Sequence, residues 1–361
     1  MELAIVRAAH LHVFLDQLRE IGVPVEREIV KSGLSPWILE QPDAYVSISR
    51  SLECLANCCR DIELMDLGFL ATQRESLTTL SRQVQRAVND APSGLARLSA
   101  LHKFAAHEDN VLSIRLQHEG TQIRVISELA DYFYHPYICF SEWVDLQALL
   151  TIIRSAVGQS WSPIEMTFVS RHRPSALVQE AFPNTRILTG QPHTSILMCS
   201  SLLAAPCLKS GQTSLLPTLT ARSEIGPPRD NWSFSTALRA AVRPYLHDGY
   251  PALTKIAEMF GMSGRTLQRR LRECGRSYSE VLQEARFEMA QELLVDPSAR
   301  IIDVALAVGY ENPQHFARAF RRHAGVSPTD FRRALAEAGQ TQVCAPSPVP
   351  PCRGCGEPQS K

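Results

Sequence analysis

The sequence has no apolar run approaching the roughly 18 residues that a transmembrane helix needs, which excludes a membrane-spanning helix. Its first 25 residues carry charged side chains at helical spacing, which is typical of an amphipathic helix and not of a secretory signal peptide. Without such a signal, the ten irregularly spaced cysteines are predicted to be reduced thiols. These absences predict a soluble cytoplasmic protein.

A complete metal site and a catalytic motif are also lacking. Cys352 and Cys355 have the spacing of half a zinc site, with Cys344 upstream, but a structural zinc usually takes its four ligands from two such pairs. The sequence offers neither a second pair nor a nearby histidine, so we expect no metal and no cofactor, with zinc binding as the weaker alternative. Cys58 and Cys59 fall in an apolar helical pattern and are predicted to be core residues.

An excess of charge of one sign is absent overall, since 37 basic residues balance 37 acidic ones. The balance nevertheless differs along the chain. Residues 1–231 hold 20 Lys and Arg against 24 Asp and Glu, whereas residues 232–336 hold 15 against 11. The second of these regions is therefore the one predicted to meet a polyanion.

The composition of the 361-residue chain predicts two domains. A stretch rich in Ser, Thr, Gly and Pro has little to pack and is typical of a linker. The last residues contain many prolines and few apolar side chains, which favours disorder. The predicted organisation is a first domain at 1–207, a linker at 208–231, a second domain at 232–336 and a disordered tail at 337–361.

The first domain is predicted to be α+β and rich in helix. Apolar positions recur at helical spacing over residues 10–21, 48–70 and 137–157, whereas residues 164–169 have the pattern of a strand. Residues 112–125 alternate apolar and polar side chains around a Glu-Gly turn, as in a β-hairpin. An aromatic cluster is predicted to pack in the core, with the wall of a ligand pocket as the alternative. The cluster and its neighbouring histidine are Tyr132, Phe133, Tyr134, His135, Tyr137 and Trp143.

The second domain is predicted to be all-α and to contain two helix-turn-helix units. In the first unit, an amphipathic helix at residues 253–260 stops at Gly261, which tolerates the left-handed backbone of a sharp helix end. Ser263 can cap the following helix through its hydroxyl. A helix, a short glycine turn and a second helix form the helix-turn-helix signature.

The second helix of this unit carries arginines on one face. When the helix is projected at about 100° per residue, three arginines lie about 140–200° from Leu267, on the side opposite the core. They are Arg265, Arg269 and Arg272, and Arg276 follows just past the helix end. Glu273 is the one carboxylate in the segment, so we expect few ion pairs there. An arginine fork fits both phosphate oxygens and the N7/O6 edge of guanine. A merely solvated helix face is the alternative.

The second unit repeats this arrangement 49 residues later. Asn312 can cap its second helix, and Pro313 suits the first helical position because its missing N–H costs nothing there. Phe316 and Phe320 form the predicted buried stripe. The opposite side carries Gln314, Arg318 and Arg321. A helix predicted at residues 277–294 joins the two units.

These units resemble the DNA-binding domain of the AraC/XylS transcriptional regulators. The first unit carries I-A-x4-M-S-x2-T-L-Q-R-x-L at residues 256–271, and the connecting helix carries R-x2-M-A-x2-L-L at residues 286–294. The second unit carries I-D-V-A-x3-G-Y-x4-H-F-x-R-A-F-R at residues 302–321 and closes with G-V-S-P-x2-F-R at residues 325–332.

The resemblance implies that the second helix of each unit enters a major groove of double-stranded DNA. Carried over by position, the base-reading residues would be Arg265, Gln268, Arg269, Gln314 and Arg318. The nearby arginines assigned to the DNA backbone are Arg272, Arg276, Arg321 and Arg322. Pro313 departs from the family pattern, in which many members have a polar side chain at this position.

The first domain resembles the arabinose-binding-like sensor and dimerisation domain of the ornithine-regulator branch of this family. The likeness lies in residues 33–35, 42–46, 67–68 and 161–168. It implies a homodimeric regulator that responds to a small-molecule effector, acts as an activator and works with RNA polymerase.

Two alternatives stay open beside a ligand-responsive regulator. The same DNA-binding module occurs fused to alkylation-repair methyltransferases, whose reactive cysteine lies in a Pro-Cys-His-Arg-like context. Cys207 follows Pro206 but precedes Leu208, which argues against this enzyme. In the other alternative, the first domain dimerises without sensing a ligand.

Overall fold

The computed structural model describes residues 3–59, 62–129, 134–204 and 232–341. The predicted linker at 208–231, Cys207 and the cysteines of the tail lie outside these residues. The chain forms two compact units, Met1–Glu288 and Met289–Lys361. The first helix-turn-helix unit therefore belongs to the same compact unit as the N-terminal region.

The N-terminal region is rich in helix, as predicted. Its helices are α1 (Ala8–Glu20), α2 (Val25–Lys31), α3 (Ile48–Cys58), α4 (Leu64–Thr72), α5 (Arg82–Asp90), α6 (Gly94–Phe104), α7 (Cys139–Val157), α8 (Ala176–Ala181) and α9 (Ser200–Ala204). Its strands are β1 (Ile5–Arg7), β2 (Tyr45–Ser47), β3 (Leu112–Glu119), β4 (Gln122–Leu129), β5 (Glu165–Thr167), β6 (Arg186–Leu188) and β7 (Thr194–Cys199). Short 3-10 helices lie at Pro36–Glu40 and Ala105–His107.

The strands form two sheets. β1 and β2 pair antiparallel, and the other five strands form a sheet in the order β3-β4-β7-β5-β6, antiparallel except for the parallel pair β5 and β6. The predicted hairpin is confirmed: Leu112 lies opposite Leu129, and Glu119 lies opposite Gln122. Gly120 makes the turn with a φ of 66°, a conformation that favours glycine.

The core of the N-terminal region surrounds α7, a helix that the sequence predicts. Its Trp143 is completely buried between the rings of Phe69 and Phe168. A Cβ on Gly68 of α4 would lie 2.4 Å from Trp143 Cδ1, so only glycine lets α4 approach the indole ring this closely.

The sequence patterns of this region agree with the structure in part. Residues 48–70, whose apolar positions recur at helical spacing, form two helices, α3 and α4, with a break between them. A helical period alone does not reveal where the helix axis changes direction. Trp143 of the predicted aromatic cluster lies in the core, as expected, but Tyr134 is 92% exposed, and Tyr132 and Phe133 lie outside the described residues. Cys58 is buried, as predicted, and Cys59 packs half-buried against the core.

The C-terminal region is all-α in the part of the chain that the structure describes. Its helices are α10 (Phe234–Val242), α11 (Leu253–Met259), α12 (Gly264–Glu273), α13 (Tyr278–Leu294), α14 (Ile301–Ala307), α15 (Pro313–Ala324) and α16 (Pro328–Thr341), with a 3-10 helix at Arg243–Asp248. α16 passes the predicted domain end at residue 336, because the Ala- and Leu-rich sequence that follows Arg333 favours helix.

Residues 3–59, 62–129, 134–204 and 232–341 lack a membrane-spanning helix and a metal-binding cluster. No helix there is both long enough and apolar enough to cross a membrane. No group of three or more His, Cys, Asp or Glu side chains in these residues has a metal-binding arrangement.

Candidate nucleic-acid interface and effector cavity

The first helix-turn-helix unit consists of α11 and α12, joined by a turn at Gly261. Gly261 has a φ of 62°, in the left-handed region that the turn requires. Ser263 Oγ accepts a hydrogen bond from the Thr266 amide at 3.1 Å and so caps α12. Leu267 and Leu271 are buried beneath the helix. The predicted order of helix, glycine turn, cap and helix is confirmed in this unit.

The outer side of α12 is exposed and basic. The exposed side chains include Arg265, Gln268, Arg269 and Arg272. Arg269 Nη1 lies 2.9 Å from Glu273 Oε1, and both side chains are more than half exposed, at 63% and 57%. This pair involves the one carboxylate of the segment and forms because Glu273 follows Arg269 by one helical turn. An exposed pair at this spacing contributes only about 0.3–0.5 kcal/mol, so Arg269 can exchange Glu273 for a stronger anion.

The other predicted DNA-contacting residues of this unit differ in their pairing. Arg265 and Arg272 form no ion pair with any residue that the structure describes. Arg276 Nη1 lies 2.5 Å from Glu284 Oε1 of α13, and Glu284 Oε2 also accepts a hydrogen bond from Arg239 at 2.9 Å. Two arginines therefore share this carboxylate, and Arg239 also pairs with Glu288 at 3.1 Å.

The second helix-turn-helix unit consists of α14 and α15. Asn312 Oδ1 accepts a hydrogen bond from the Gln314 amide at 2.8 Å, and Pro313 is the first helical residue, as predicted. Phe316 and Phe320 are buried with ring centroids 5.7 Å apart. The predicted core stripe of α15 is therefore confirmed.

The outer side of α15 is also exposed and basic. Its exposed side chains include Gln314, Arg318, Arg321 and Arg322. Arg318 and Arg322 form no ion pair within the described part of the chain. Each helix-turn-helix unit therefore has solvent-exposed arginines on its second helix, which is the helix that the sequence predicts to enter DNA. A helix of this width fits the major groove.

The N-terminal region contacts the first helix-turn-helix unit, which sequence analysis did not predict. Ser47 Oγ donates a hydrogen bond to the Met259 carbonyl oxygen at 2.9 Å, and Arg50 Nη2 donates one to the Glu258 carbonyl oxygen at 2.9 Å. Both carbonyls belong to the last turn of α11. The partners are more than 200 residues apart in sequence, so no local pattern could reveal these contacts.

A second set of contacts lies at the 3-10 helix before α11. Ser35 Oγ donates a hydrogen bond to the Pro244 carbonyl oxygen at 2.7 Å. The rings of Trp37 and His247 lie 3.8 Å apart. Together with Ser47 and Arg50, these side chains attach the segment 35–50 to α11 and to the 3-10 helix that precedes it.

A network of buried charges occupies the N-terminal region. Glu108 Oε2 lies 2.9 Å from both Arg7 Nη1 and His10 Nε2, and His10 Nδ1 lies 3.3 Å from Glu75 Oε1. Burial alone would lower the pKa of His10, but its bonds to Glu108 and Glu75 raise that pKa to about 10. Burial alone would raise the pKa of Glu108, but His10 and Arg7 lower it to about 2.

A cavity lies between α1, α3 and α7, beside this network. Its wall is mainly apolar and includes Phe14, Leu52, Leu55, Phe140 and Val144. Its polar lining includes His10, Asp109 and Asp145. Asp145 also lines two neighbouring cavities. Concave, mostly apolar sites with a few polar groups are typical of small-molecule binding.

Known protein families match both regions of the chain. The profile of the arabinose-binding N-terminal domain of the AraC transcription regulator matches residues 22–207, which is more than half of the chain. A helix-turn-helix domain profile matches residues 256–334. The chain belongs to the AraC family of transcription regulators. The family assignment made from the sequence motifs is confirmed.

Individual relatives of this AraC-family chain carry regulator names. It is 34% identical over 265 residues to the ornithine utilization regulator of Pseudomonas aeruginosa, an alignment that covers 73% of the chain and 66% of the relative. It is 37% identical over 88 residues to the regulator VqsM of the same species, covering 24% and 27%. The alignments thus span just under two thirds of the first relative and about a quarter of the second.

A solved structure of a protein from the same species is less similar to this chain in sequence. The transcriptional regulator CdpR of Pseudomonas aeruginosa is 20% identical, with coverage of 86% of this chain and 96% of that one and a TM-score of 0.37.

Proposed function

We propose that this AraC-family chain is a transcription regulator that binds double-stranded DNA through α12 and α15 and responds to a small-molecule effector. The observation that carries this proposal is the pair of exposed arginine faces, one on the second helix of each helix-turn-helix unit. Exposed guanidinium groups that lack strong partners are suited to a polyanion.

In this proposal, each arginine face has two kinds of residue. The residues that read bases are Arg265, Gln268, Arg269, Gln314 and Arg318. The residues that bind the DNA backbone are Arg272, Arg276, Arg321 and Arg322. Bidentate contacts to base edges give sequence preference, whereas phosphate contacts give salt-dependent affinity without preference.

The effector acts through α3 in this account. Leu52 and Leu55 of α3 line the cavity between α1, α3 and α7, while Arg50 of the same helix and Ser47 at its cap hold the end of α11. A ligand that shifts α3 therefore changes the contacts that hold the first DNA-binding unit. This coupling favours a ligand-responsive regulator over one that only dimerises.

The regulator acts in the cytoplasm as a homodimer and recruits RNA polymerase as an activator. The match to the AraC-type N-terminal domain supports the proposed dimer. A dimer raises the local concentration of the second copy at a paired site. The chain has no enzymatic role in this proposal, which the regulator names of its relatives support.

Selection of bound duplexes from a random-sequence DNA pool tests the DNA-binding proposal. The full chain is expected to enrich a defined motif, and Arg265→Ala is expected to lose enrichment at one position of that motif. Arg333→Ala is the matched control, because Arg333 is exposed on α16 and lies outside both faces. Failure of the folded full chain to enrich any motif would overturn the proposal.

A further inference from the structure

We propose that the cavity between α1, α3 and α7 binds a small organic cation, whose charged nitrogen is held by Asp109 and Asp145. The inference rests on the proposed function, since it names the chemical class of the effector. It starts from the charges around the cavity.

The cations beside the cavity already have anionic partners. Arg7 pairs with Glu108 and Asp43, and His10 pairs with Glu108 and Glu75. Asp109 and Asp145 form no ion pair with any residue in the described part of the chain. The lining of the cavity therefore contains two aspartates for which the described part of the chain supplies no cationic partner.

One oxygen of each carboxylate is unused. Asp145 Oδ2 accepts a hydrogen bond from Ser127 Oγ at 2.6 Å, and Asp109 Oδ1 accepts one from the Val111 amide at 2.8 Å. Asp109 Oδ1 also accepts the Leu112 amide. The second oxygen of each aspartate makes no hydrogen bond with a described residue, so both can accept an N–H donor from a molecule in the cavity.

The surroundings make these carboxylates costly to ionise. Burial and the neighbouring Asp109 raise the pKa of Asp145 well above its ordinary range, although Ser127 and His10 oppose this. Burial also raises the pKa of Asp109 to about 6. A cation placed between the two aspartates would offset both effects, whereas an anion would add to the repulsion.

The remaining wall selects the body of the ligand. Phe14 and Phe140 form an edge-to-face pair on one side, and Leu52, Leu55 and Val144 also line the space. Hydrocarbon is favoured there because it leaves water for an apolar wall. The fitting ligand is therefore an amine with a short apolar chain.

Three probes of matched shape test this inference on the full chain without DNA. They are n-hexylammonium, 1-hexanol and hexanoate, and the measurement is isothermal titration calorimetry. Hexylammonium is expected to bind at least about tenfold more tightly than hexanol, and hexanoate is expected not to bind. The opposite order, equal affinities of hexylammonium and hexanol, or no binding of any probe would overturn the inference.

The variant Asp145→Asn separates a charge contact from a role in folding. Hexylammonium binding is expected to weaken by about 30-fold or more, as for the loss of a buried charge partner, while hexanol binding stays unchanged. The ligand-free variant is expected to melt no lower than the parent, because it loses a carboxyl group that burial makes costly to ionise. Asp16→Asn, on the exposed side of α1, is the matched control and should bind like the parent.

Unchanged hexylammonium binding by Asp145→Asn would overturn the inference. If the variant does not fold, the comparison of the three probes on the parent chain decides it alone. A chain that enriches a DNA motif but shows no preference for hexylammonium would lose only this inference. A chain that binds hexylammonium but enriches no DNA motif would lose the proposed function instead.

Discussion

The N-terminal region and the helix-turn-helix units differ in where their charged side chains lie and in whether those side chains form ion pairs. In the N-terminal region, Arg7 and His10 are buried, and each lies within bonding distance of two carboxylates. On α12 and α15, Arg265 and Arg318 are exposed and form no ion pair with a described residue. A buried charge needs a partner within the fold, because its burial removes water. An exposed guanidinium group remains hydrated and can bind an anion of another molecule.

The difference indicates a division of labour within the molecule. A buried network that is sensitive to geometry is suited to register a small ligand in the adjacent cavity. An exposed basic face requires no internal partner and is suited to a charged surface such as DNA. Changes to the first kind of charge should alter stability and its pH dependence, and changes to the second kind should alter binding and its salt dependence.

The largest expected effect comes from the buried network. His10→Gln should lower the free energy of unfolding by about 3–5 kcal/mol at pH 6, because it removes one partner of buried ion pairs. The pKa of His10 is about 10 in the folded chain and ordinarily 6.5, so its stabilising contribution is complete below pH 6.5 and declines toward pH 10. In urea unfolding, the difference in the free energy of unfolding between the parent and the variant should become smaller from pH 6.5 to pH 10.

A control variant sharpens this experiment. His118 is exposed on β3, so His118→Gln should have nearly the stability of the parent at every pH. If the free energy of unfolding of His10→Gln lies below that of the parent by the same amount from pH 6.5 to pH 10, then His10 is neutral in the folded chain. The contrast between buried and exposed charges would then lose its main support.

A smaller effect is expected on the exposed side of the comparison. Arg269→Ala should weaken specific DNA binding by about 1–3 kcal/mol and relax the preference at one base position, because a bidentate base contact carries both affinity and selectivity. Its free energy of unfolding should change by less than about 0.5 kcal/mol. Titration of the selected site and of single-base variants measures both quantities. Uniform weakening on all sequences, with a shallower salt dependence, would instead identify Arg269 as a phosphate contact.

The smallest effect concerns the ion pair between Arg269 and Glu273. Glu273→Gln should tighten DNA binding by about twofold, because Arg269 no longer has to leave a partner worth about 0.3–0.5 kcal/mol. The same change in an Arg269→Ala background should leave affinity unaltered apart from the small effect of lost repulsion. Weaker binding of the single variant would show that Glu273 orients Arg269 toward its base.

Local patterns predicted the elements with a clear period or a clear end signal. The hairpin at β3 and β4 follows from alternation around Gly120, and α12 and α15 follow from their caps at Ser263 and Asn312. Their exposed faces follow from the same helical projection. The predicted DNA-contacting residues were therefore found on the solvent side of the helices, while their contact with DNA stays a prediction.

The cavity could not be predicted in the same way. His10 and Glu108 are 98 residues apart in sequence, and Ser127 and Asp145 meet because β4 lies beside α7. No local period marks such pairs, since each residue alone resembles an ordinary polar position in an amphipathic segment. The three-residue strands β1 and β2 were missed for a related reason, because they are too short to show alternation.

A salt titration of the full chain on its selected site and on a random duplex tests the central claim, that the arginine faces of α12 and α15 bind DNA. With four arginines of each chain on phosphates, the logarithm of the affinity should fall with the logarithm of salt concentration with a slope of about −4 per bound chain. The selected site should bind at least about a thousandfold more tightly than the random duplex. Equal affinity for the two duplexes, or affinity independent of salt, would contradict the account.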